Sequence, residues 1–164
     1  MTNPKAEQLI NLLQGEILLI SKLIDHLSEE KIALMERQFE ELEALAQKKE
    51  ELSQQLENSA KQRVEILEIS NYDNNAKQSL QIFLKQCDSE QATKIEQLNK
   101  QLAEKLATCR EQNSVNGQVI ATNLNTRQEI ISILTGQVNN DAINTYTATG
   151  SVSSSNESSR HQEA

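Results

Sequence analysis

Proline occurs once in this chain, at position 4, and glycine occurs only four times in 164 residues. A many-stranded β fold needs frequent turns, and Gly and Pro supply the backbone conformations that such turns require. Leu, Ile, Ala, Glu, Gln and Lys dominate the remaining sequence, and all of these except Ile are strong helix formers. We therefore predict an all-α fold: an elongated antiparallel bundle of three long helices and one short helix, with left-handed, coiled-coil-like packing.

The first two helices are predicted from two sets of apolar residues that are out of phase by about one residue. The first helix begins at Pro4 with Asn3 as its N-cap. Its apolar stripe comprises Leu9, Leu13, Ile17, Ile20, Leu23, Ile24 and Leu27. The second stripe comprises Met35, Phe39, Leu42, Ala46 (or Leu45), Leu52, Leu56, Ala60, Val64 and Leu67. Since one residue rotates a helix by about 100°, we predict a turn within residues 34–38.

The next segments are predicted to be a loop at residues 71–75, a short helix at 76–86 and a long helix at 89–135. The loop is rich in Asn and Asp, whose side chains bond nearby backbone groups in turns. Leu80, Phe83 and Leu84 form the inner face of the short helix. Asp88 with Gln91 resembles a capping box, and Gly136 is in the expected position after the last helix. The stripe of the long helix comprises Ile95, Leu98, Leu102, Leu106, Cys109, Asn113, Asn116, Ile120, Leu124, Arg127, Ile131 and Leu134.

The composition changes after residue 136, which suggests a helical domain over residues 1–136 and a flexible polar tail over residues 137–164. The tail contains six serines, together with several Asn and Thr residues, and its few apolar residues have no period. Such a segment cannot bury enough apolar area to offset the entropy lost on ordering, so we expect it to be disordered on its own.

The charge and hydropathy of the chain exclude several classes of partner. The formal net charge is −8, and no Lys/Arg cluster offsets it, so we expect no nucleic-acid partner. The apolar run at residues 17–20 is far shorter than the roughly 20 residues of a membrane span, so we expect no membrane insertion. The N-terminal residues also lack the pattern of a signal peptide.

No group of residues has the pattern of a catalytic, cofactor or metal site, so we do not expect an enzyme. His26 and His161 are the only histidines, and neither belongs to a motif with ligand spacing. Cys87 and Cys109 are expected to be reduced thiols that fill small gaps on helices. The acidic pairs at 29–30, 40–41 and 50–51 are interpreted as solvated helix faces.

The last third of the long helix departs from an ordinary apolar stripe. Asn113, Asn116, Asn123 and Arg127 lie in or beside the stripe, and Gly117 lies in the helix interior, where Gly costs about 1 kcal/mol relative to Ala. Two interpretations are open. The polar residues fix the register of neighbouring helices, or this segment extends beyond the bundle and is completed by a partner.

The same segment resembles the FlgN family. Residues 109–120 read Cys-Arg-Glu-Gln-Asn-Ser-Val-Asn-Gly-Gln-Val-Ile, and they are followed by Asn-Leu at 123–124 and Ile-Leu-Thr-Gly at 133–136. These resemble the family pattern of Asn, Asn-Gly, an apolar pair and a closing Leu-Thr-Gly. The acidic helices of residues 5–70 are also similar to the family's first two helices. Residues 146–150 resemble its Tyr-Gly-x-x-Gly segment, although Thr147 replaces the first glycine.

The resemblance implies a bacterial, cytoplasmic type III export chaperone. Such a protein would bind the C-terminal helices of hook-associated (hook–filament junction) proteins, prevent their premature assembly and deliver them to the flagellar export gate. Tyr146 would dock at the gate. The implied substrate-binding residues are Asn113, Asn116, Gly117, Ile120, Asn123 and Leu124. A homodimer with exchanged helices is compatible with so elongated a bundle, and a structural coiled-coil or adaptor protein within a larger assembly is the alternative function.

Overall fold

The computed structural model describes residues 2–68 and 76–135, together with the backbone of residues 144–146 and 152–154. The helices are α1 (Pro4–Glu36), α2 (Phe39–Ile66), α3 (Ala76–Leu84) and α4 (Ser89–Thr135). Strands β1 (Asn144–Tyr146) and β2 (Val152–Ser154) pair antiparallel, with Tyr146 opposite Val152. The prediction of an all-α fold with three long helices and one short helix is confirmed, whereas the handedness of the packing stays a prediction.

Helix α1 lies against both of the other long helices. It is antiparallel to α2, because Lys5 Nζ is 2.8 Å from Glu68 Oε1 near one end and Glu30 bonds Lys49 near the other. It is parallel to α4, because Asn3 bonds Gln91 at the start of both helices. Successive long helices therefore alternate in direction, as predicted.

The core is an aliphatic layer centred on α1. Its α1 members are spaced by three and four residues, as the periodicity predicts: Ala6, Leu9, Leu13, Ile17, Ile20, Leu23 and Leu27. Helix α4 contributes Ile95, Leu98, Leu102 and Cys109 to the same cluster. Leu52 of α2 and Phe83 of α3 complete it.

The capping residues join the N-terminal ends of α1 and α4. Asn3 Oδ1 accepts a hydrogen bond from the Lys5 N–H (3.0 Å), and Pro4 is the first helical residue, as expected. Asp88 caps α4 by accepting from the Gln91 N–H (2.8 Å). The predicted capping box is only half formed, because the Gln91 amide bonds the backbone N–H and carbonyl of Asn3 instead.

The turn between α1 and α2 lies within the predicted interval. Arg37 adopts the left-handed conformation (φ 59°, ψ 38°), and the Gln38 N–H donates to the Ala33 carbonyl (2.9 Å). This bond closes the end of α1 as in a Schellman motif. Glycine usually occupies the left-handed position of this motif. Arginine occupies it here, so the turn lacks the glycine that would have identified it in the sequence.

Several predicted positions of the second apolar stripe are wrong. Met35, at the end of α1, and Phe39 and Val64 of α2 belong to the predicted stripe, but they are 70%, 61% and 40% exposed. Met35 and Phe39 flank the α1–α2 turn. The apolar periodicity continues through this region of the sequence, but no third helix covers these two side chains. Leu45, and not Ala46, is the buried residue of its turn.

Both cysteines are free, and Cys109 is buried in the core. Cys87 lies in the turn between α3 and α4, so the expectation that it lies on a helix is wrong. Burial raises the pKa of both thiols, and Asp88 adds to the effect at Cys87, while Lys49 and Arg110 oppose it at Cys109. Both groups are therefore protonated and poorly nucleophilic at neutral pH.

The predicted loop at 71–75, the stop at Gly136 and most of the tail lie outside the described residues. The β1–β2 pair is a feature that the periodicity of the tail did not predict. Among the helices of residues 2–68 and 76–135, none combines the length and the apolar character required to span a membrane.

Candidate partner-binding site

Helix α4 changes character after Gly117. From Ile95 to Gly117 its stripe is largely buried against α1, and beyond that point no residue of α4 is fully buried. Four aliphatic side chains near its end are at least half exposed: Ile130 (52%), Ile131 (56%), Ile133 (80%) and Leu134 (80%). We refer to these four residues as the α4 apolar end.

The geometry of the bundle explains this exposure. Asn116 of α4 lies beside Glu30 of α1, and the two helices run in the same direction from that level. At about 1.5 Å per residue, α1 continues for about 9 Å to Glu36, whereas α4 continues for about 28 Å to Thr135. The final turns of α4 therefore extend beyond the α1–α2 turn and have no neighbouring helix from the bundle.

A buried polar layer marks the level at which the three long helices are last joined. Glu30, only 5% exposed, accepts hydrogen bonds from Lys49 Nζ and Asn116 Nδ2, both at 2.8 Å. Asn116 Nδ2 is also 2.8 Å from the Leu27 carbonyl oxygen. The interpretation of the 29–30 pair as a solvated face is wrong for Glu30, which reaches inward because Lys49 and Asn116 satisfy both carboxylate oxygens.

A second buried carboxylate lies nearer the other end of the bundle. Glu16, 3% exposed, accepts a hydrogen bond from Ser59 Oγ (3.0 Å), and its Oε1 lies 3.3 Å from Arg63 Nε. Within the described residues, the contacts of this layer join α1 to α2, whereas the Glu30 layer joins α1, α2 and α4. Sliding either helix would leave a buried charge unpaired, so we expect each layer to fix the register of the helices that it connects.

A cleft of about 380 Å³ opens above the Glu30 layer, between the α1–α2 turn and α4. Its walls are mainly apolar, with a few polar groups among them. The lining residues are Glu30, Leu34, Arg37, Phe39, Leu42, Ile120, Asn123, Leu124, Thr126, Arg127 and Ile130. The cleft is continuous with the α4 apolar end through Ile130. We call this combined surface the open end of the bundle.

Phe39 and Arg127, which both line the cleft, contact each other. The guanidinium carbon of Arg127 lies 5.6 Å from the centroid of the Phe39 ring, within the range of a cation–π contact. This contact connects the first residue of α2 to α4. The lining of the cleft therefore includes an exposed phenyl ring and the arginine in contact with it.

The predicted substrate-binding residues fall into two groups. Ile120, Asn123 and Leu124 line the cleft. Asn116 and Gly117 are buried below it, and Asn113 is half-buried slightly further down α4. Asn116 pairs with α1, as the register interpretation requires, and the segment from Ile120 onward has no fully buried residue. Completion of this segment by a partner stays a prediction.

The backbone of Tyr146 belongs to β1, but its side chain lies outside the described part of the structure. The cleft also contains residues that the sequence analysis did not propose as binding residues, chiefly Arg37, Phe39 and Ile130. One sequence feature could have identified the α4 apolar end. Residues 130, 131, 133 and 134 cover an arc too wide for a helix that buries a single narrow stripe.

Residues 2–68 and 76–135 form an elongated helical protein whose described helices leave an apolar surface exposed, and a surface of this kind is suited to binding an amphipathic helix. Among residues 2–68 and 76–135, no cluster of His, Cys, Asp and Glu could hold a metal ion. The FlgN protein family model matches residues 1–154, and the chain belongs to this family. No curated protein and no solved structure matches the chain. FlgN proteins are flagellar export chaperones, and the family is not one of enzymes.

Proposed function

We propose that this protein binds the C-terminal helices of hook-associated (hook–filament junction) proteins in the bacterial cytoplasm, prevents their premature assembly and delivers them to the flagellar export gate. Family membership supports the chaperone role in general. The observation that carries the specific proposal is the open end of the bundle, where aliphatic side chains on α4 are solvated beside an apolar cleft.

The binding mode follows from the shape of this surface. An amphipathic helix laid along α4 would cover the α4 apolar end and place one side chain in the cleft, as in helix-in-groove recognition. Full burial of one Leu or Ile side chain is worth about 1.5–3 kcal/mol. Ordering of the partner and lost rotational freedom offset much of this gain, which leaves an affinity low enough for later release.

The proposal includes all six substrate-binding residues that the family resemblance implies. Ile120, Asn123 and Leu124 would contact the substrate directly. Asn113, Asn116 and Gly117 would act from inside the bundle, where the Asn116 amide holds α4 beside α1. The α4 apolar end and Phe39 extend the proposed contact surface beyond these six.

A direct test compares substitutions at the open end with matched substitutions elsewhere. Ile131→Ser with Leu134→Ser removes two exposed aliphatic side chains from α4. Leu18→Ser with Ile82→Ser removes two that are 66% and 52% exposed on α1 and α3. We expect the first double variant to bind a recombinant junction-protein C-terminal segment at least about tenfold more weakly than wild type, and the second to bind normally, by titration calorimetry.

Equal binding by both double variants would show that the site is elsewhere. Failure of the full-length protein to bind any junction subunit would refute the substrate assignment itself. Hydrogen exchange gives an independent measure, with protection of residues 118–135 expected only when the partner is present. Protection that instead rises with the concentration of the protein alone would indicate a homodimer through this surface.

The proposed docking of Tyr146 at the export gate is tested separately. A Tyr146→Ala variant should bind the substrate segment with normal affinity but fail to restore motility in cells that lack the wild-type protein. Tyr72→Ala, a tyrosine change outside the tail, serves as the matched control. Normal motility of the Tyr146→Ala strain would refute the docking role while leaving the substrate-binding proposal intact.

A further inference from the structure

The charge of the cleft is opposite to that of the chain as a whole. The protein carries a formal net charge of −8, yet the charged residues that line the cleft are Arg37, Arg127 and Glu30. Glu30 is already compensated by Lys49 and Asn116. The two arginines form no ion pair with any residue that the structure describes. Within the described residues, the cleft therefore presents two arginines without an ion-pair partner, in a protein that is acidic overall.

The two arginines belong to different elements that border the cleft. Arg37 lies in the α1–α2 turn, and Arg127 lies on α4. The guanidinium carbon of Arg127 lies over the Phe39 ring, 5.6 Å from its centroid. A cation–π contact uses the positive charge of the group and none of its five N–H donors, so these donors can bind a carboxylate.

We propose that the cleft selects an amphipathic helix whose apolar stripe is flanked by carboxylates, and that these carboxylates pair with Arg37 and Arg127. This inference rests on the proposed function, because it specifies which helix of a substrate protein enters the cleft. The apolar walls bury the stripe, and the arginines recognise its acidic edge. Glu36, Glu40, Glu41 and Glu129 are sequence neighbours of lining residues but do not line the cleft, and their charges disfavour a helix that is acidic along its whole surface.

The test uses two synthetic amphipathic helices as probes. The two peptides share one Leu-rich stripe, and the residues that flank it are Glu in one and Lys in the other. We expect the Glu-flanked peptide to bind the full-length protein at least about tenfold more tightly at low salt. This preference should decrease as the salt concentration rises, because the arginines are exposed and their interactions are screened.

Charge reversal identifies the residues responsible. The double variant R37E/R127E should lose the preference for the Glu-flanked peptide or reverse it. Arg110, an exposed arginine of α4 that does not line the cleft, provides the matched control R110E. Circular dichroism and thermal unfolding of each variant check that the bundle is unchanged.

The results separate this inference from the proposed function. Equal affinity for the two peptides, or an equal effect of R110E and R37E/R127E, would overturn the inference even if junction proteins bind well. A retained preference for the Glu-flanked peptide would support it even if no junction protein binds. If deletion of residues 137–164 abolished the preference for the Glu-flanked peptide, recognition would depend on the tail. The assignment to the arginines would then be wrong.

Discussion

The two halves of α4, on either side of Gly117, differ in how far their aliphatic side chains are buried. Between Ile95 and Gly117, the helix buries a regular stripe against α1. Between Gln118 and Thr135, it has equally large aliphatic side chains, but the last of them, Ile133 and Leu134, are each 80% exposed. Apolar content alone therefore does not determine which residues form the core. The two halves of α4 differ in whether another helix of the bundle lies beside them.

The Glu30 layer lies at the boundary between these halves. It is the last place where α1, α2 and α4 are joined by buried polar contacts within the described residues. Below it, burial of apolar area stabilises the fold. Above it, aliphatic side chains of α4 are exposed among the described residues, and such a cost is expected where function conflicts with stability. The layer thus separates the packed part of the bundle from the surface that we propose binds a partner.

The sharpest test of this contrast replaces the same residue type in both halves. Leu102, 2% exposed, is in the core half, and Leu134 is in the open half. Leu102→Ala should lower the free energy of unfolding by about 2–5 kcal/mol, because it removes buried methyl groups and leaves a cavity. Leu134→Ala should change it by less than about 0.5 kcal/mol. Urea unfolding followed by circular dichroism measures both.

Substrate binding should show the reverse order for these two variants. Leu134→Ala should weaken binding of the junction-protein segment, whereas folded Leu102→Ala should bind nearly as wild type does. If Leu134→Ala destabilised the protein as much as Leu102→Ala, a part of the same chain would cover the α4 apolar end in solution. The distinction between the two halves would then be wrong.

The polar layer should give the next largest effect. Asn116→Leu removes the amide that donates to Glu30 and leaves one carboxylate oxygen buried without a partner. We expect a loss of about 2–3 kcal/mol in the free energy of unfolding, measured by urea denaturation. Ser114→Leu, an exposed position on the same helix, is the matched control and should be close to neutral.

Replacing the whole layer sharpens the interpretation. In the triple variant Glu30→Leu/Lys49→Met/Asn116→Leu, no charge is left unpaired, so most of the stability should return. If the layer fixes register, the triple variant should nevertheless bind the substrate segment less tightly than wild type, because α4 is no longer held at one level. Wild-type affinity in a stable triple variant would contradict the register role.

The helix boundaries were predictable because they depend on local sequence. Asn3-Pro4, Asp88 and the phase shift near residue 35 each act through the nearest turn of helix, and the structure places helix ends at all three. The α1 stripe was predictable for a similar reason. A continuous 3–4 spacing leaves a long helix only one face to bury.

The open end was less predictable because it depends on where neighbouring helices stop. Phe39 and Leu52 have similar places in the α2 pattern, but only Leu52 is covered. Glu30 was placed on a solvated face because its two partners lie 19 and 86 residues away along the chain. The apolar periodicity of a sequence predicts neither the relative lengths of helices nor pairs between residues far apart in the chain.

The smallest predicted effect concerns Arg37, where the folded unit and the open end meet. Its left-handed backbone costs a non-glycine residue about 1 kcal/mol, so Arg37→Gly should stabilise the protein by up to about that amount in urea unfolding. The same change removes one of the cleft's two cations and should weaken binding of the Glu-flanked peptide. Stability and affinity would then change in opposite directions at a single position.

Arg37→Lys should leave stability unchanged and keep most of the peptide preference, because it retains both the backbone strain and the charge. Weaker folding of Arg37→Gly would instead show that the arginine side chain stabilises the turn, and that the open end is held by more than the backbone geometry described above.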